Sequence, residues 1–327
     1  MTSKRIVLPE NLEGKTLFVA GAGGFVPSTL CEFYLNKGAK VIGVDNFITG
    51  SRSNIDLLSA YKNFEFYEMN VYEKLPNLKD EKIDYVLSLA SPASPIDFAK
   101  IPLEIMRVNS EGTLKLLELA KEKKARFLEA STSEVYGDPE IHPQREDYVG
   151  HVNPIGPRSC YDESKRFAEA MTMSFHHRYN VDTRIVRIFN TYGPRMRPND
   201  GRVIPNFINQ ALKNEDITVY GDGSQTRSYC YVNDLVEAIH RVLMSEDPTP
   251  FNCGNPDEYT IKETAEIIIK VLGSKSKIVY LPLPKDDPKR RRPDITKLQS
   301  VSDFKPSVAF EDGIRKTAEY FKSLISE

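Results

Sequence analysis

LFVAGAGGFVPSTLCEFYL (residues 17–35) runs from a short apolar segment through a glycine turn into a helical pattern. Gly21, Gly23 and Gly24 therefore follow a strand and open a helix, where free backbone N–H groups and the helix dipole favour a pyrophosphate. A tight turn that binds nothing would use similar glycines. Asp45 separates the two readings: it ends the next apolar run, KVIGVDNF (40–47), where a carboxylate takes both hydroxyls of an adenosine ribose. The same charge repels a 2′-phosphate, so the expected cofactor is NAD rather than NADP. Pro27 stands where the dinucleotide fingerprint has its third glycine. Proline is tolerated in a first helical turn, where its missing N–H would have had no partner, so it bears on the tightness of the site and not on its existence.

Outward from this unit, apolar runs alternate with helical patterns, the signature of βαβ units and a parallel sheet. Strands are expected at Thr16–Ala20, Lys40–Asp45, Phe64–Met69, Tyr85–Ala90, Arg126–Ala130 and Thr183–Ile188, and helices near Val26–Lys37, Pro102–Lys124 and Tyr161–Tyr179. The fold class expected is α/β: a doubly wound parallel (Rossmann) sheet with a smaller C-terminal substrate domain. Beyond Phe189, loops such as TYGPRMRPNDGR (191–202) and YGDGSQTR (220–227) alternate with helices at Val203–Lys213 and Asn233–Met244, and two more helices are expected before the end. The division expected is a cofactor domain over 1–190, with 232–253 returning to its sheet, and a substrate domain over 191–327.

The 327 residues carry 44 basic and 46 acidic side chains, a formal charge of −2. Proteins that work on nucleic acid or anionic membranes replace condensed counterions with a basic excess, so neither partner is expected. No apolar run approaches the ~20 residues that span a bilayer, and MTSKRIVLPENLEG (1–14) lacks the apolar stretch of a secretory signal, so a cytoplasmic protein is expected. Cys31, Cys160, Cys230 and Cys253 are scattered without a CxxC pair, and the adjacent His176 and His177 have no thiol or acidic partner at ligand spacing. Neither a disulfide framework nor a metal site is expected.

Chemistry enters with Ser131-Thr132-Ser133-Glu134 and, further on, Tyr161-Asp162-Glu163-Ser164-Lys165. Tyr161 and Lys165, four apart, share a helix face, and the ammonium is expected to draw the phenol below its usual pKa of about 10 toward that of a general base. The hydroxyls of Thr132 and Ser133 can orient a substrate hydroxyl while hydride leaves the same carbon. A lone YxxxK is common by chance. Joined to the glycine turn, Asp45 and the two hydroxyls, it describes an alcohol-oxidising site.

Longer stretches are more specific: DNFITG (45–50), LASPASP (89–95), STSEVYGDPE (131–140), HPQREDY (142–148), GHVNPIGPRSCYDESKR (150–166), RIFNTYGPRM (187–196), NDGRV (199–203), VYGDGSQTR (219–227) and DDPKRRRPDI (286–295). In these the chain resembles the extended short-chain dehydrogenase/reductase superfamily over nearly its whole length, and within it the UDP-glucuronate decarboxylase (UDP-xylose synthase) family. The resemblance implies that bound NAD⁺ oxidises carbon 4 of the glucuronic acid ring with Tyr161 as base. The new ketone lies β to the carboxylate, carbon dioxide leaves, carbon 5 is reprotonated and hydride returns, giving UDP-xylose without net redox change. The implied catalytic set is Tyr161, Lys165, Thr132, Ser133, Glu134 and Arg291. Arg291 would hold the carboxylate and stabilise enolate charge, and Glu134 would assist ring distortion or proton delivery. Dehydratases of the superfamily typically carry Asp-Glu after the threonine and 4-epimerases generally lack the glutamate, so Ser133-Glu134 favours the decarboxylases.

Contacts to NAD are implied for Gly21, Gly24, Phe25, Val26, Asp45, Asn46, Phe47, Thr49, Asn70, Val71, Leu89, Ser91 and Thr191, beside Tyr161 and Lys165. Contacts to a nucleotide-sugar substrate are implied for Arg107, Asn190, Arg202, Tyr220, Gln225, Arg227 and Arg291. The run Lys289-Arg290-Arg291-Arg292 is read as an anion site rather than a solvated face. Two departures stand out: Asn70 replaces an aspartate at the adenine, and Arg107 replaces a lysine near the substrate carboxylate. A homodimer through a four-helix bundle of 102–124 and 161–179 is expected, although Leu114, Leu117 and Ala120 fit packing on the sheet equally well. The rival readings are an NAD-dependent nucleotide-sugar 4-epimerase, 4,6-dehydratase or C4 dehydrogenase, and a cofactor-binding relative without turnover.

Overall fold

A computed structural model describes residues 6, 8–282 and 290–325. The chain opens with β1 (Thr16–Ala20), buried at every position as a parallel strand covered on both faces must be. There follow α1 (Phe25–Asn36), β2 (Lys40–Asp45), α2 (Arg52–Leu58), β3 (Phe64–Glu68), β4 (Tyr85–Ser88), α3 (Pro95–Phe98), α4 (Pro102–Arg107), α5 (Thr113–Lys123), β5 (Arg126–Thr132), α6 (Ser159–Tyr179) and β6 (Thr183–Ile188). The second part holds β7 (Thr191–Tyr192), α7 (Val203–Lys213), β8 (Ile217–Tyr220), β9 (Thr226–Ser228), β10 (Cys230–Tyr231), α8 (Val232–Met244), β11 (Phe251–Cys253), β12 (Glu258–Thr260), α9 (Ile261–Leu272), β13 (Ile278–Leu281), β14 (Arg290–Arg291), α10 (Thr296–Val301) and α11 (Phe310–Ile325).

Seven strands form one parallel sheet in the order β3-β2-β1-β4-β5-β6-β11. The order reverses between β1 and β4, which makes the carboxyl ends of those strands the expected ligand crevice of a doubly wound fold. β11 joins the edge by pairing with β6, Phe251 opposite Val186, so the chain does return to the sheet after α8. A second apolar core gathers Phe207, Ile217, Ile268, Ile314 and Phe321 from α7, β8, α9 and α11. There α9 starts in a capping box, in which Thr260 accepts the Glu263 N–H and Glu263 reaches back to the Thr260 N–H.

Several boundaries differ from the sequence-based ones. β3 stops at Glu68 and β4 at Ser88, while β5 runs on to Thr132. The helix expected over 102–124 is broken by a π-turn at Val108–Gly112, where the buried Asn109 amide donates to Ser164 Oγ on α6 at 2.9 Å. Leu117 and Ala120 pack fully into the core, whereas Leu114 stays 38% exposed. Three helices rather than two follow residue 253, because α10 is a separate six-residue element.

Candidate active site

The turn after β1 is built by close approach. Gly21 has φ +87°, and a Cβ on it would come within 2.8 Å of the Ala90 Cα beyond β4. α1 then starts at Phe25 with no side-chain cap, so its first N–H groups face the cavity. Pro27 is buried at the third helical position, and the first helical bond runs from the Ser28 N–H to the Gly24 carbonyl at 3.0 Å. No bond is lost to the proline.

Asp45, at the end of β2, accepts the Gly23 N–H on Oδ2 at 2.9 Å and the Phe47 N–H on Oδ1 at 2.7 Å. Burial pushes its carboxyl above the usual range, against the pull of those amides. Side chains on Gly23 or Gly50 would meet this carboxylate at 3.2 and 2.9 Å, so both glycines keep a cradle open around it. That fits the diol of an adenosine ribose, and the uncapped α1 terminus fits a pyrophosphate; the residues suit NAD.

One cavity of about 680 Å³ runs from this cradle past the ends of β4 and β5 to β8, β9 and β14. It is lined by Gly21, Gly24, Phe25, Val26, Asp45, Asn46, Thr49, Asn70, Val71, Leu89, Ser91 and Thr191 on the cofactor side. On the far side stand Thr132, Ser133, Glu134, Tyr161, Lys165, Asn190, Arg202, Tyr220, Gln225, Arg227 and Arg291. Two expected residues are missing from the wall. Phe47, at φ +56°, turns its ring onto Phe66 at 5.5 Å under Arg52, and meets the cradle with its N–H and with a ring edge that a Cβ on Gly23 would touch at 3.2 Å. Arg107 lies just before the π-turn with its guanidinium over Tyr72 at 4.2 Å and paired with Glu111 at 3.0 Å, on the outer surface. Arg107 is exposed and not part of the wall, although Tyr72, Glu104 and Val108 beside it are. Lys289 lies outside the described residues, and Arg290 is exposed.

Tyr161 stacks on Phe98 at 5.1 Å and is buried. Lys165 Nζ is bound to Glu129 Oε1 at 3.2 Å and the Ala130 carbonyl at 2.7 Å, and burial outweighs any pull on the phenol. The Glu129 carboxylate is fully buried. Burial pushes the phenol upward, the neighbouring Glu134 and Asp162 charges add to this, and the Thr132 hydroxyl pulls the other way.

Glu134 follows Thr132, whose hydroxyl accepts its N–H at 3.2 Å in the short 3₁₀ turn after β5. Its Oε2 accepts Arg158 Nη2 at 2.6 Å and Arg291 Nη2 at 3.3 Å. Burial opposes its charge, but Arg291 and Arg158 outweigh burial and hold its pKa at about 2. Arg291 is 1% exposed; β14 pairs with β9 so that it lies opposite Arg227, and its Nη1 donates to the Ser133 carbonyl at 2.7 Å. Burial and the Glu134 charge push the adjacent Asp162 up to about 7. Arg158, Phe98 and Glu129 were not read from the sequence: none stands at a diagnostic spacing from Tyr161.

The cavity thus joins a nucleotide cradle to a buried tyrosine and a carboxylate flanked by two guanidinium groups. The NAD dependent epimerase/dehydratase family model matches residues 17–254. The chain belongs to this family. Among relatives, UDP-glucuronic acid decarboxylase 1 of Danio rerio is 48% identical over 307 residues, covering 94% of this chain and 72% of the relative. UDP-glucuronic acid decarboxylase 4 of Arabidopsis thaliana is 47% identical over 320 residues, covering 97% and 71%. Among solved structures, the UDP-glucuronic acid 4-epimerase from Bacillus cereus in complex with UDP-glucuronic acid and NAD superposes with a TM-score of 0.84 at 27% identity, covering 94% of this chain and 99% of that one. NAD is the cofactor of this family member. Among the described residues no group of His, Cys, Asp and Glu could hold a metal ion, and no helix is long and apolar enough to cross a membrane.

Proposed function

We propose that this protein decarboxylates UDP-glucuronate to UDP-xylose with NAD. The observation that carries the reading is the Arg291-Glu134 pair beside Tyr161, together with the decarboxylase relatives at 48% and 47% identity. In this reading 1–190, rejoined by 232–253, is the NAD domain and 191–327 the nucleotide-sugar domain.

When bound, NAD would supply the hydride acceptor that turns carbon 4 into a ketone. Tyr161 takes the proton of the carbon 4 hydroxyl, which Thr132 and Ser133 orient. Burial opposes that step, and the Thr132 hydroxyl and the Arg202 charge favour it. Arg291 holds the sugar carboxylate, which is then β to a ketone, and the bond to carbon dioxide breaks with its electron pair passing to the carbon 4 oxygen. Tyr161 and Thr132 hold that oxygen as it becomes an enolate; a proton from water then goes to carbon 5, and as the hydride returns to carbon 4 Tyr161 gives its proton back to the oxygen. Glu134, ionised at neutral pH, accepts hydrogen bonds from the ring and favours its distortion. Arg202 and Arg227 face the diphosphate, which suits guanidinium forks. Tyr220, Asn190 and Gln225, whose buried Oε1 has no partner among the described residues, serve the rest of the nucleotide.

Incubation with UDP-glucuronate and NAD, followed by proton NMR, tests the reading. UDP-xylose with carbon dioxide is expected; UDP-galacturonate would identify a 4-epimerase, and unchanged substrate would refute both.

The protein is further read as a homodimer. Leu103, Met106 and Leu114 on α4 and α5 and Phe167 on α6 are 68, 46, 38 and 51% exposed on neighbouring helices, a face suited to a second copy. A cytoplasmic location is supported by four cysteines that are all unpaired and buried, and cell fractionation with recovery in a membrane or secreted fraction would contradict it.

A further inference from the structure

Polar groups from four elements converge on Glu134: Arg158 just before α6, Asp162 and the Tyr161 phenol on α6, Arg291 from β14, Arg227 from β9 and Arg202 at the start of α7. Two guanidinium groups reach the same oxygen, Arg158 at 2.6 Å and Arg291 at 3.3 Å. Arg291 alone would have to divide one positive charge between Glu134 and a ligand carboxylate. One of its nitrogens is already committed to the Ser133 carbonyl, and a buried carboxylate stripped of its cation is costly. Arg158 removes the conflict. It makes the shorter contact, and it is itself fixed, with its guanidinium 5.5 Å from the Phe98 ring centre and 3.8 Å from Asp162 Oδ2. Its carbonyl also accepts the Tyr161 N–H at 3.0 Å, so the residue that holds Glu134 opens the helix that carries the phenol.

We propose that Arg158 is a positioning residue, which neutralises Glu134 and so leaves Arg291 to pair with the carboxylate of a nucleotide sugar. This rests on the decarboxylase reading only in that the ligand brings a carboxylate to Arg291. Nothing in the glycine turn or the YxxxK pair points to it; the geometry does.

The test is calorimetric binding to NAD-loaded protein carrying Tyr161→Phe, where turnover is stopped, with UDP-glucuronate, UDP-glucose and UDP as probes. With Arg158 present, UDP-glucuronate should bind about tenfold more tightly than UDP-glucose, the size of one charged hydrogen-bonded contact. Arg158→Gln should reduce that preference to about twofold or less while UDP binds as before, because Arg291 is then retained by Glu134. Adding Glu134→Gln to Arg158→Gln should restore the preference by releasing Arg291, a reversal that general damage to the fold does not produce. A preference that survives Arg158→Gln, or a UDP affinity that falls with it, overturns the proposal. No preference even with Arg158 present overturns the decarboxylase reading and the proposal with it. Should Arg158→Gln fail to fold, Arg158→Met keeps the packing on Phe98 without the charge and is read by the same criteria.

Discussion

Glu134 shows what two guanidinium groups do to one carboxylate. Burial alone would favour its neutral form, yet beside Arg291 and Arg158 it stays ionised down to about pH 2. At neutral pH it is an acceptor and not an acid, which favours ring distortion over proton delivery among the two roles the family resemblance implies. Glu134→Gln is expected to slow decarboxylation by about 10²-fold or more while NAD affinity, measured by fluorescence titration, changes less than about threefold. Parallel loss of both would refute the role. At this scale the sequence was legible where spacing carries meaning: Gly21, Asp45, Tyr161 and Lys165 fall in one cavity because a strand-turn-helix unit and a four-residue helical repeat force them there. Arg158 had no such rule behind it. Glu129 was hidden in the middle of the strand RFLEAST, where no spacing pointed to its pairing with Lys165.

At the scale of elements, α1 and α8 pack around a buried histidine. His240 is 1% exposed, its ring lies 5.2 Å from Phe33 and 5.7 Å from Tyr34, and neither ring nitrogen has a partner among the described residues. Burial, helped by Lys37 and Arg241, lowers its pKa to about 4. The unfolded chain therefore binds a proton at this residue between its ordinary pKa of about 6.5 and about 4 while the folded chain does not, and stability falls as pH drops through that window. His240→Phe should flatten this loss, by up to about 3 kcal/mol between pH 7 and 4, in urea unfolding at several pH values. An unchanged slope would contradict it. Element existence was readable from long apolar runs, and six strands of the sheet follow from them. The seventh, β11, has three residues and β14 has two, too short for a periodic signal. What places Arg291 opposite Arg227 is the register of β14 on β9, a pairing between distant segments that no local pattern encodes. The π-turn at 108–112 is equally silent, and with it went the position of Arg107.

For the whole molecule, the formal charge of −2 conceals a positive wall: Arg158, Arg202, Arg227 and Arg291 surround one cavity, with Glu134 and Asp200 as counter-charges. Such a distribution draws a dianionic nucleotide and a sugar carboxylate without making the surface basic. The exposed apolar face on α4, α5 and α6 lies on the outside of the helix layer that carries Tyr161, so association of two copies would stiffen that layer. Light scattering should give twice the chain mass, and Phe167→Glu should halve it by placing a charge in the apolar face; a monomer in the unsubstituted protein would contradict the dimer. The central claim is that carbon 4 is oxidised and restored within one binding event while carbon dioxide leaves. UDP-glucuronate carrying deuterium at carbon 4, incubated with the protein and unlabelled NAD, tests it most directly by NMR and mass spectrometry. The account predicts UDP-xylose that keeps the deuterium at carbon 4; UDP-xylose without it, a released 4-keto sugar, or UDP-galacturonate as the product would contradict it.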